Sequence, residues 1–91
     1  LATTYKVEMY LEARDRMSLL KDVTTVLSDM RVNVLSCSTS THADDIVEMR
    51  FLFTLSDVSQ IDVILRRMRS IEGVFEATRL VPKAGRKGAG E

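Results

Sequence analysis

The order in which hydrophobic periodicity changes along the chain is the feature that most restricts its fold. Residues 5–13 alternate apolar and polar side chains, as a strand with one buried face does. After a charged turn, apolar side chains from Leu19 to Met30 instead recur three and four positions apart, which is the spacing of an amphipathic helix. The same switch occurs again in the second half of the chain. The sequence therefore predicts strands and helices that alternate within one small domain.

Six elements follow from this periodicity. The predicted strands cover residues 5–13, 32–41, 46–55 and 74–81, one helix covers residues 18–31, and a second helix lies between a cap at Ser56 or Asp57 and a stop at Gly73. Ser18 is the expected N-cap of the first helix. Two interleaved strand–helix–strand units give an α+β ferredoxin-like βαββαβ sandwich, with a four-stranded antiparallel sheet and both helices on one face.

Apolar positions on one face of each element are expected to form the core. On the first and third strands these positions are Tyr5, Val7, Met9, Leu11, Ala13, Val47, Met49, Phe51, Phe53 and Leu55. On the two helices they are Leu19, Leu20, Val23, Val26, Leu27, Met30, Val58, Ile61, Ile64, Leu65, Met68 and Ile71. The other face of the sheet has no cover within the chain, and we expect it to meet solvent or a second copy.

Composition narrows the class of protein. With 91 residues, 45% of them hydrophobic and 29% charged, the chain is long enough for one globular domain, which we assign to residues 1–81. Thirteen basic and thirteen acidic residues cancel, which removes the electrostatic argument for binding nucleic acid or a membrane surface. Residues 82–91 have glycines and charges but nothing to bury, so they are expected to be a flexible basic tail. Because the chain starts without Met, we expect it to be part of a longer protein.

Reactive side chains are few. One His, one Cys and scattered acids form no triad, no metal-ligand spacing and no Gly-rich phosphate loop, so we expect no catalytic residue, no metal and no cofactor in this domain. Cys37 cannot form an internal disulfide and fits a reducing, cytoplasmic compartment, where we expect it to be a small buried side chain. His42, Asp44 and Asp45 are expected to form a solvated turn.

The turn before the first helix concentrates charge. Arg14, Asp15 and Arg16 lie where that helix exposes unpaired backbone N–H groups and a partial positive charge, an arrangement that suits an anion such as an amino-acid carboxylate. The same three residues can instead form surface ion pairs, worth roughly 0 to 1 kcal/mol. Residue types alone leave both interpretations open.

The run over residues 13–41, ARDRMSLLKDVTTVLSDMRVNVLSCSTST, resembles the ACT family of small regulatory domains. The resemblance extends over about residues 4–81. More narrowly, DVTTVLSDMRVNVLSCSTST together with IEGVFEATRL is similar to the C-terminal ACT domain of the RelA/SpoT enzymes that make and degrade (p)ppGpp. The chain departs from the family pattern at Met17 and Ser18, where Pro-Gly is usual.

The resemblance implies regulation rather than chemistry. It implies a domain of a bifunctional (p)ppGpp synthetase/hydrolase (GTP pyrophosphokinase) that controls the stringent response through amino-acid sensing or through contacts with the ribosome, tRNA or other domains. It also implies a homodimer that binds a small amino acid, such as a branched-chain one, between two copies. The ligand-binding residues implied are Asp15, Arg16, Met17, Ser18, Leu19 and Asn33. The alternative is an ACT domain that gives feedback control of an amino-acid biosynthetic enzyme.

Within this implied site each residue has a role. Asp15 would meet the ligand's ammonium group, the backbone of residues 16–19 would cradle its carboxylate, and Asn33 would reach it from the neighbouring subunit. A side chain at Ser18 would narrow the approach to the helix N-terminus. Residue types alone also allow Asn33 merely to pair backbone groups at the start of its strand.

An RNA-recognition module has the same order of elements and is the main rival. Such modules read bases with aromatic side chains on the open face of the sheet. Phe51 and Phe53 share a face with apolar neighbours and are expected in the core, which argues against this function. Arg66, Arg67 and Arg69 nevertheless form a basic edge. On the open face we instead expect Tyr10, Leu35 and Cys37 among polar residues.

Overall fold

The computed structural model describes residues 3–81. The elements, in chain order, are β1 (Tyr5–Arg14), α1 (Leu19–Asp29), β2 (Asn33–Thr41), β3 (Ile46–Leu55), α2 (Gln60–Arg69) and β4 (Val74–Leu80). The four strands form one antiparallel sheet in the order β2-β3-β1-β4. This confirms the predicted ferredoxin-like βαββαβ sandwich. The tail assigned to residues 82–91 lies outside the described residues.

The core lies between the helices and the two central strands, β1 and β3. The buried side chains are Val7, Met9, Leu11, Ala13, Leu19, Val23, Val26, Leu27, Val47, Met49, Phe51, Phe53, Leu55, Ile61, Ile64, Leu65, Met68 and Ala77. Phe51 and Phe53 are each only 1% exposed, which confirms that they pack in the core. The third strand therefore does not present them to RNA.

Three side chains predicted in the core are exposed instead. Tyr5 is the first residue of β1 and is 43% exposed, because β4 pairs with β1 only from Glu8 onwards and leaves Tyr5 without a neighbouring strand on that side. Leu20 is 48% exposed because it lies in the first turn of α1, on the side that borders an open cavity. Val58, 46% exposed, precedes α2 and belongs to a turn, so the helical periodicity that selected it does not apply there.

Helix α1 ends earlier than its apolar pattern predicted. Arg31 adopts a left-handed conformation with φ +60°. The N–H of Val32 donates to the Leu27 carbonyl at 3.3 Å, and the N–H of Arg31 donates to the Ser28 carbonyl at 3.0 Å. These two bonds form a Schellman motif, which satisfies the last carbonyls of the helix and turns the chain into β2.

Helix α2 begins later than predicted, because Asp57 forms a turn of its own. The Asp57 Oδ1 atom accepts hydrogen bonds from the Ser59 hydroxyl at 2.7 Å and from the Ser59 N–H at 3.0 Å. These bonds hold the pKa of the Asp57 carboxyl below its usual value. The helix itself starts at Gln60. Asp57 therefore orders the approach to the helix instead of capping its first turn.

Strand β2 is uncovered along its whole length, and all nine of its residues are exposed. Cys37 pairs with Phe51 and Thr39 with Met49, so these β2 side chains lie on the helix side of the sheet. The prediction that Cys37 is buried was therefore wrong, and so was its assignment to the open face. Helix α1 does not extend over this edge. Leu35 is the additional residue of a bulge between Val34 and Ser36.

Tyr10 does lie on the open face, as predicted. It alternates with the buried side chains of Met9 and Leu11 and pairs with Arg50 on β3. The Arg50 guanidinium carbon is 5.6 Å from the centre of the Tyr10 ring, within the range of a cation–π contact. Tyr10 therefore already has a partner within the domain.

Gly73 does not cap α2, which ends at Arg69. The N–H of Val74 donates to the Ile71 carbonyl at 3.1 Å and closes a four-residue turn. Gly73, with φ +93°, occupies the third position of this turn, where a type II turn requires a positive φ. The conformation of this turn, rather than the end of the helix, therefore requires glycine.

We predict that Gly73→Ala lowers the free energy of unfolding by about 1 to 2 kcal/mol, because a Cβ atom is disfavoured at positive φ. A Cβ atom at this position would be 3.6 Å from Arg16 Nε and 3.7 Å from the Arg14 carbonyl oxygen, so the loss comes from the backbone conformation and not from a clash. Urea unfolding measures it. Gly73→Asn is the matched control and should lose less, since Asn tolerates this region better. Equal stability of all three proteins would contradict the assignment.

Candidate ligand site at the start of the first helix

A cavity of about 270 Å³ lies where the turn between β1 and α1 meets the end of β2 and the start of β3. The residues that line it are Asp15, Arg16, Ser18, Leu19, Leu20, Lys21, Thr39, Thr41, Val47 and Met49. Four of the six residues implied by the family resemblance, Asp15, Arg16, Ser18 and Leu19, therefore border one cavity. A volume of this size suits one small molecule.

Backbone hydrogen bonds position this turn between two other turns. The N–H of Asp15 donates to the Asp45 carbonyl at 2.8 Å, which attaches the turn to the β2–β3 hairpin. The N–H of Arg14 donates to the Gly73 carbonyl, also at 2.8 Å, which attaches it to the turn between α2 and β4. The turn therefore has a defined place although its residues are largely exposed.

Arg16 forms the densest set of side-chain hydrogen bonds at this turn. Its Nη2 atom donates to Asp22 Oδ2 at 2.8 Å, its Nη1 atom to the Met17 carbonyl at 2.9 Å, and its Nε atom to the Glu72 carbonyl at 3.0 Å. The ion pair is therefore with Asp22 of α1 and not with Asp15. The turn therefore contains a surface ion pair, as one interpretation of the sequence expected. The Asp15 carboxylate, however, borders the cavity, where the other interpretation placed a ligand.

Ser18 begins α1 in a left-handed conformation, with φ +68°. Its carbonyl accepts the N–H of Asp22 at 2.9 Å, so it occupies the N-cap position as predicted. Within the described part of the chain, however, its hydroxyl does not cap a backbone N–H of the helix. The predicted side-chain cap is wrong because the left-handed backbone at Ser18 departs from the extended one that a capping hydroxyl needs.

The cavity combines charges of both signs with an apolar floor. Asp15 supplies a carboxylate and Lys21 an ammonium group, and the first turn of α1 adds the positive end of a helix dipole. Thr39 and Thr41 line the wall that β2 provides. The floor is formed by the buried side chains of Leu19, Val47 and Met49. This arrangement matches a small zwitterion with an aliphatic side chain.

Met17 and Asn33 do not border the cavity of their own chain. The Met17 side chain is 89% exposed. Asn33 pairs with Thr54 on β3, whereas the end of β1 pairs with Ile46, eight residues away on the same strand. At about 3.4 Å per residue the two ends of the sheet are about 27 Å apart. Asn33 is therefore too far away to reach the cavity of its own chain.

Thr39, Thr41, Val47 and Met49 were not identified from sequence as site residues. A signal for them was present, because a tight turn at residues 42–45 sets the pairing of the strands on either side of it. In the structure Thr41 pairs with Val47 and Thr39 with Met49, so the four share one face. The register of the β2–β3 hairpin brings them to the end of the sheet where β1 enters its turn.

The His42–Asp45 segment forms the predicted hairpin turn, in which the N–H of His42 donates to the Ile46 carbonyl at 2.7 Å. His42 Nε2 is 3.4 Å from Glu48 Oε2 on the open face. Among residues 3–81, no group of His, Cys, Asp and Glu side chains is arranged to hold a metal ion. Neither helix in the described range has the length and apolarity needed to cross a bilayer.

Comparison with known proteins identifies the family of this domain. The family model for the ACT domain matches residues 1–79. A GTP pyrophosphokinase of Streptomyces antibioticus is 38% identical over 81 residues, which are 89% of this chain and 10% of that protein. The bifunctional (p)ppGpp synthase/hydrolase RelA of Mycobacterium tuberculosis is 36% identical over 83 residues, which are 91% of this chain and 11% of that protein. The chain thus spans about a tenth of the length of these curated relatives.

The fold is also found in a solved structure. The crystal structure of the ACT domain from the GTP pyrophosphokinase of Chlorobium tepidum superposes with a TM-score of 0.75 at 18% identity, and it covers 86% of this chain and 100% of that one. The sandwich thus defines the chain as a small α+β domain with the ACT fold. The chain belongs to the ACT domain family, and it is homologous to a segment of RelA-type GTP pyrophosphokinases.

We predict that Ser18→Gly keeps the free energy of unfolding or raises it by up to about 1 kcal/mol. The change removes a left-handed penalty of about 1 to 2 kcal/mol, partly offset by the greater freedom of glycine in the unfolded chain, about 0.5 to 1 kcal/mol. Ser18→Ala is the matched control and should leave stability within about 0.5 kcal/mol, because the hydroxyl does not cap the helix. Urea unfolding of the three proteins decides. A loss of 1 kcal/mol or more in Ser18→Ala would show that the hydroxyl does stabilise α1.

Proposed function

We propose that this chain is the regulatory ACT domain of a RelA/SpoT-type (p)ppGpp synthetase/hydrolase and that it binds a small aliphatic amino acid. One observation carries the proposal, namely the cavity at the start of α1, where Asp15 and the helix N-terminus face an apolar floor. The homology to GTP pyrophosphokinases supports the parent enzyme. The alternative, an ACT domain of an amino-acid biosynthetic enzyme, has no comparable support from the two relatives described above.

The proposed pose follows from the charges. The ligand's ammonium group lies against the Asp15 carboxylate, and its carboxylate accepts from backbone N–H groups near Ser18, next to the Lys21 ammonium. The ligand's side chain rests on Val47 and Met49. These two core residues are 3% and 4% exposed, and they form the apolar floor of the cavity. A branched aliphatic side chain fills that surface without bringing a buried polar group.

Two copies complete the site in this proposal. The uncovered edge of β2 supports it, because its residues, NVLSCSTST, include no charged side chain and no proline to block pairing with another strand. Pairing with a second copy would continue the sheet and cover Val34 and Leu35, which are 41% and 47% exposed. Asn33 of one copy would then reach the cavity of the other copy, which the Asn33 of that other copy cannot reach.

Binding would be read out elsewhere in the parent enzyme. We propose that the domain couples amino-acid supply, or engagement with the ribosome or tRNA, to the balance of (p)ppGpp synthesis and hydrolysis in the stringent response. The basic edge of α2 contributes less to such contacts than its sequence suggested. Arg67 lies 3.5 Å from Asp29 Oδ2, and Arg69 Nε donates to the Ala77 carbonyl at 3.1 Å, so two of its three arginines already have partners within the domain.

We predict that valine, leucine or isoleucine releases heat on binding and that Asp15→Ala weakens the affinity at least tenfold. The reason is the loss of a charge-assisted hydrogen bond worth about 1.5 to 3 kcal/mol. Isothermal calorimetry at millimolar ligand measures the affinity. Asp44→Ala is the matched control, because it removes an exposed carboxylate from the neighbouring hairpin that does not line the cavity. No heat and no amide shift near Asp15 in the natural protein would overturn the proposed site.

We predict that Cys37 of two copies forms a disulfide when the protein is treated with oxidised glutathione. Cys37 is the middle residue of the nine in β2, so an antiparallel pair centred on that strand places it opposite its counterpart. Thiol–disulfide exchange joins the two sulfurs and releases two reduced glutathione molecules. Partial desolvation raises the pKa of the Cys37 thiol, so the reaction needs mildly alkaline pH.

The control is Arg79→Cys in a Cys37→Ser background. This thiol lies on β4, at the opposite edge of the sheet, and should not form the dimer under the same conditions. Non-reducing electrophoresis detects the covalent dimer, and light scattering at millimolar protein detects the non-covalent one. A strict monomer in light scattering, or equal crosslinking at both edges, would contradict pairing through β2.

A further inference from the structure

The Arg16 side chain joins three segments that are distant in sequence. Its three donor nitrogens bond the Met17 carbonyl in its own turn, Asp22 in α1 and the Glu72 carbonyl before β4. The Arg16 side chain is only 25% exposed, and the Asp22 carboxylate at 2.8 Å balances its charge. Arg16 and its three acceptors, called the fork, therefore form a structural group. The donors of the guanidinium group are already bonded within the domain, so it is not a free cation available to a ligand.

The bond to Met17 sets the direction of one peptide group. The carbonyl of Met17 and the N–H of Ser18 belong to the same planar trans peptide, so they point to opposite sides. Arg16 holds that carbonyl on the side of Asp22 and Glu72, neither of which borders the cavity. The Ser18 N–H lies on the opposite side of this peptide group from that carbonyl, and Ser18 itself borders the cavity.

The same side chain also secures the left-handed backbone at Ser18. A non-glycine residue at φ +68° is held there only if its surroundings determine the conformation. Arg16 fixes the peptide before Ser18, while the N–H of Asp22 bonds the Ser18 carbonyl at 2.9 Å after it. Both sides of Ser18 are thus connected through one Arg16–Asp22 pair.

At its other end the fork reaches the turn between α2 and β4. The Glu72 carbonyl accepts from Arg16 Nε at 3.0 Å, and the next carbonyl, that of Gly73, accepts from the Arg14 N–H at 2.8 Å. Two consecutive carbonyls of this turn are therefore held by residues 14 and 16 of the turn that borders the cavity.

We propose that Arg16 is a positioning residue of the amino-acid site. It presents the Ser18 N–H to the ligand carboxylate and couples occupancy of the cavity to the order of the α2–β4 turn. This inference rests on the proposed amino-acid site. By linkage, a ligand that binds the presented N–H stabilises the fork, and a firmer fork strengthens ligand binding by the same factor.

The experiment compares Arg16→Lys with Arg66→Lys in the full chain. Lysine keeps the charge but cannot bond three acceptors in the fixed geometry of a guanidinium group. Arg66 is an exposed arginine on α2, and in the described residues its side chain has no hydrogen bond or ion pair, so it controls for the substitution itself. The readouts in the free protein are the Ser18 amide shift and hydrogen exchange at Arg14 and Val74, taken relative to the core amide of Phe51.

In Arg16→Lys we expect the Ser18 amide shift to move, and relative exchange at Arg14 and Val74 to rise at least fivefold. Arg66→Lys should match the natural protein. With valine as the probe, calorimetry should give an affinity at least tenfold weaker for Arg16→Lys. The valine affinity of Asp22→Asn should lie between those of Arg16→Lys and Arg66→Lys. The amide oxygen of Asn still accepts one hydrogen bond from Arg16, but it no longer balances the charge of Arg16.

Hydrogen exchange tests the role of Arg16, whereas valine binding by the natural protein tests the proposed function. Unchanged exchange and an unchanged Ser18 shift in Arg16→Lys overturn the fork as a positioning device. Faster exchange with natural valine affinity overturns the role in binding and leaves a purely structural arginine. If the natural protein binds no branched-chain amino acid, the proposed function fails, and the exchange data still decide whether Arg16 couples the two turns.

Discussion

The packing of two helices onto one face of the central strands β1 and β3 is the interaction on which the rest of the structure depends. These strands pair along ten residues each, from Tyr5 opposite Leu55 to Arg14 opposite Ile46. Their inward side chains are nearly all buried, and each fully buried Leu, Phe or Met contributes about 1.5 to 3 kcal/mol. Because this layer is rigid, the turns at its edge hold fixed positions.

The cavity exists because the core does not extend to the end of the sheet at β2. Helix α1 begins at Leu19, and its first turn stands beside β2 without covering it. The gap is floored by core side chains such as Val47 and walled by polar ones such as Thr39 and Thr41. A site of this kind removes few side chains from the core, since its apolar floor already belongs to the sandwich.

Left-handed residues mark the places where the chain departs from regular structure. Ser18 and Asp45 have φ values of +68° and +65°, and both belong to turns joined at Asp15, whose N–H bonds the Asp45 carbonyl. Arg31, with φ +60°, instead ends α1 in a Schellman motif. Strained backbone persists where several contacts determine it together, and functional turns commonly have that property. The fork of Arg16 supplies such contacts at Ser18.

The sequence by itself determined the order of the elements, the βαββαβ topology and most of the core. The alternation that includes Met9 and Leu11 and the helical spacing that includes Val23 and Leu27 indicate which face of each element is buried. Few arrangements of layers can bury all of these faces in so short a chain. It also pointed to the charged turn at Asp15, because charge beside a helix start is visible in the residues themselves. Most of the exact ends of the elements follow from backbone hydrogen bonds that periodicity does not encode.

Only the tertiary structure decided what surrounds that turn. That Arg16 pairs with Asp22 and reaches Glu72, 56 residues away, depends on how α2 returns the chain to β4. That Thr39 lies beside the cavity depends on hairpin register, and that Cys37 is exposed depends on where α1 stops covering the sheet. Local sequence specifies which faces are apolar, whereas the contacts of polar side chains are set by distances between elements, and those exist only once the layers have packed.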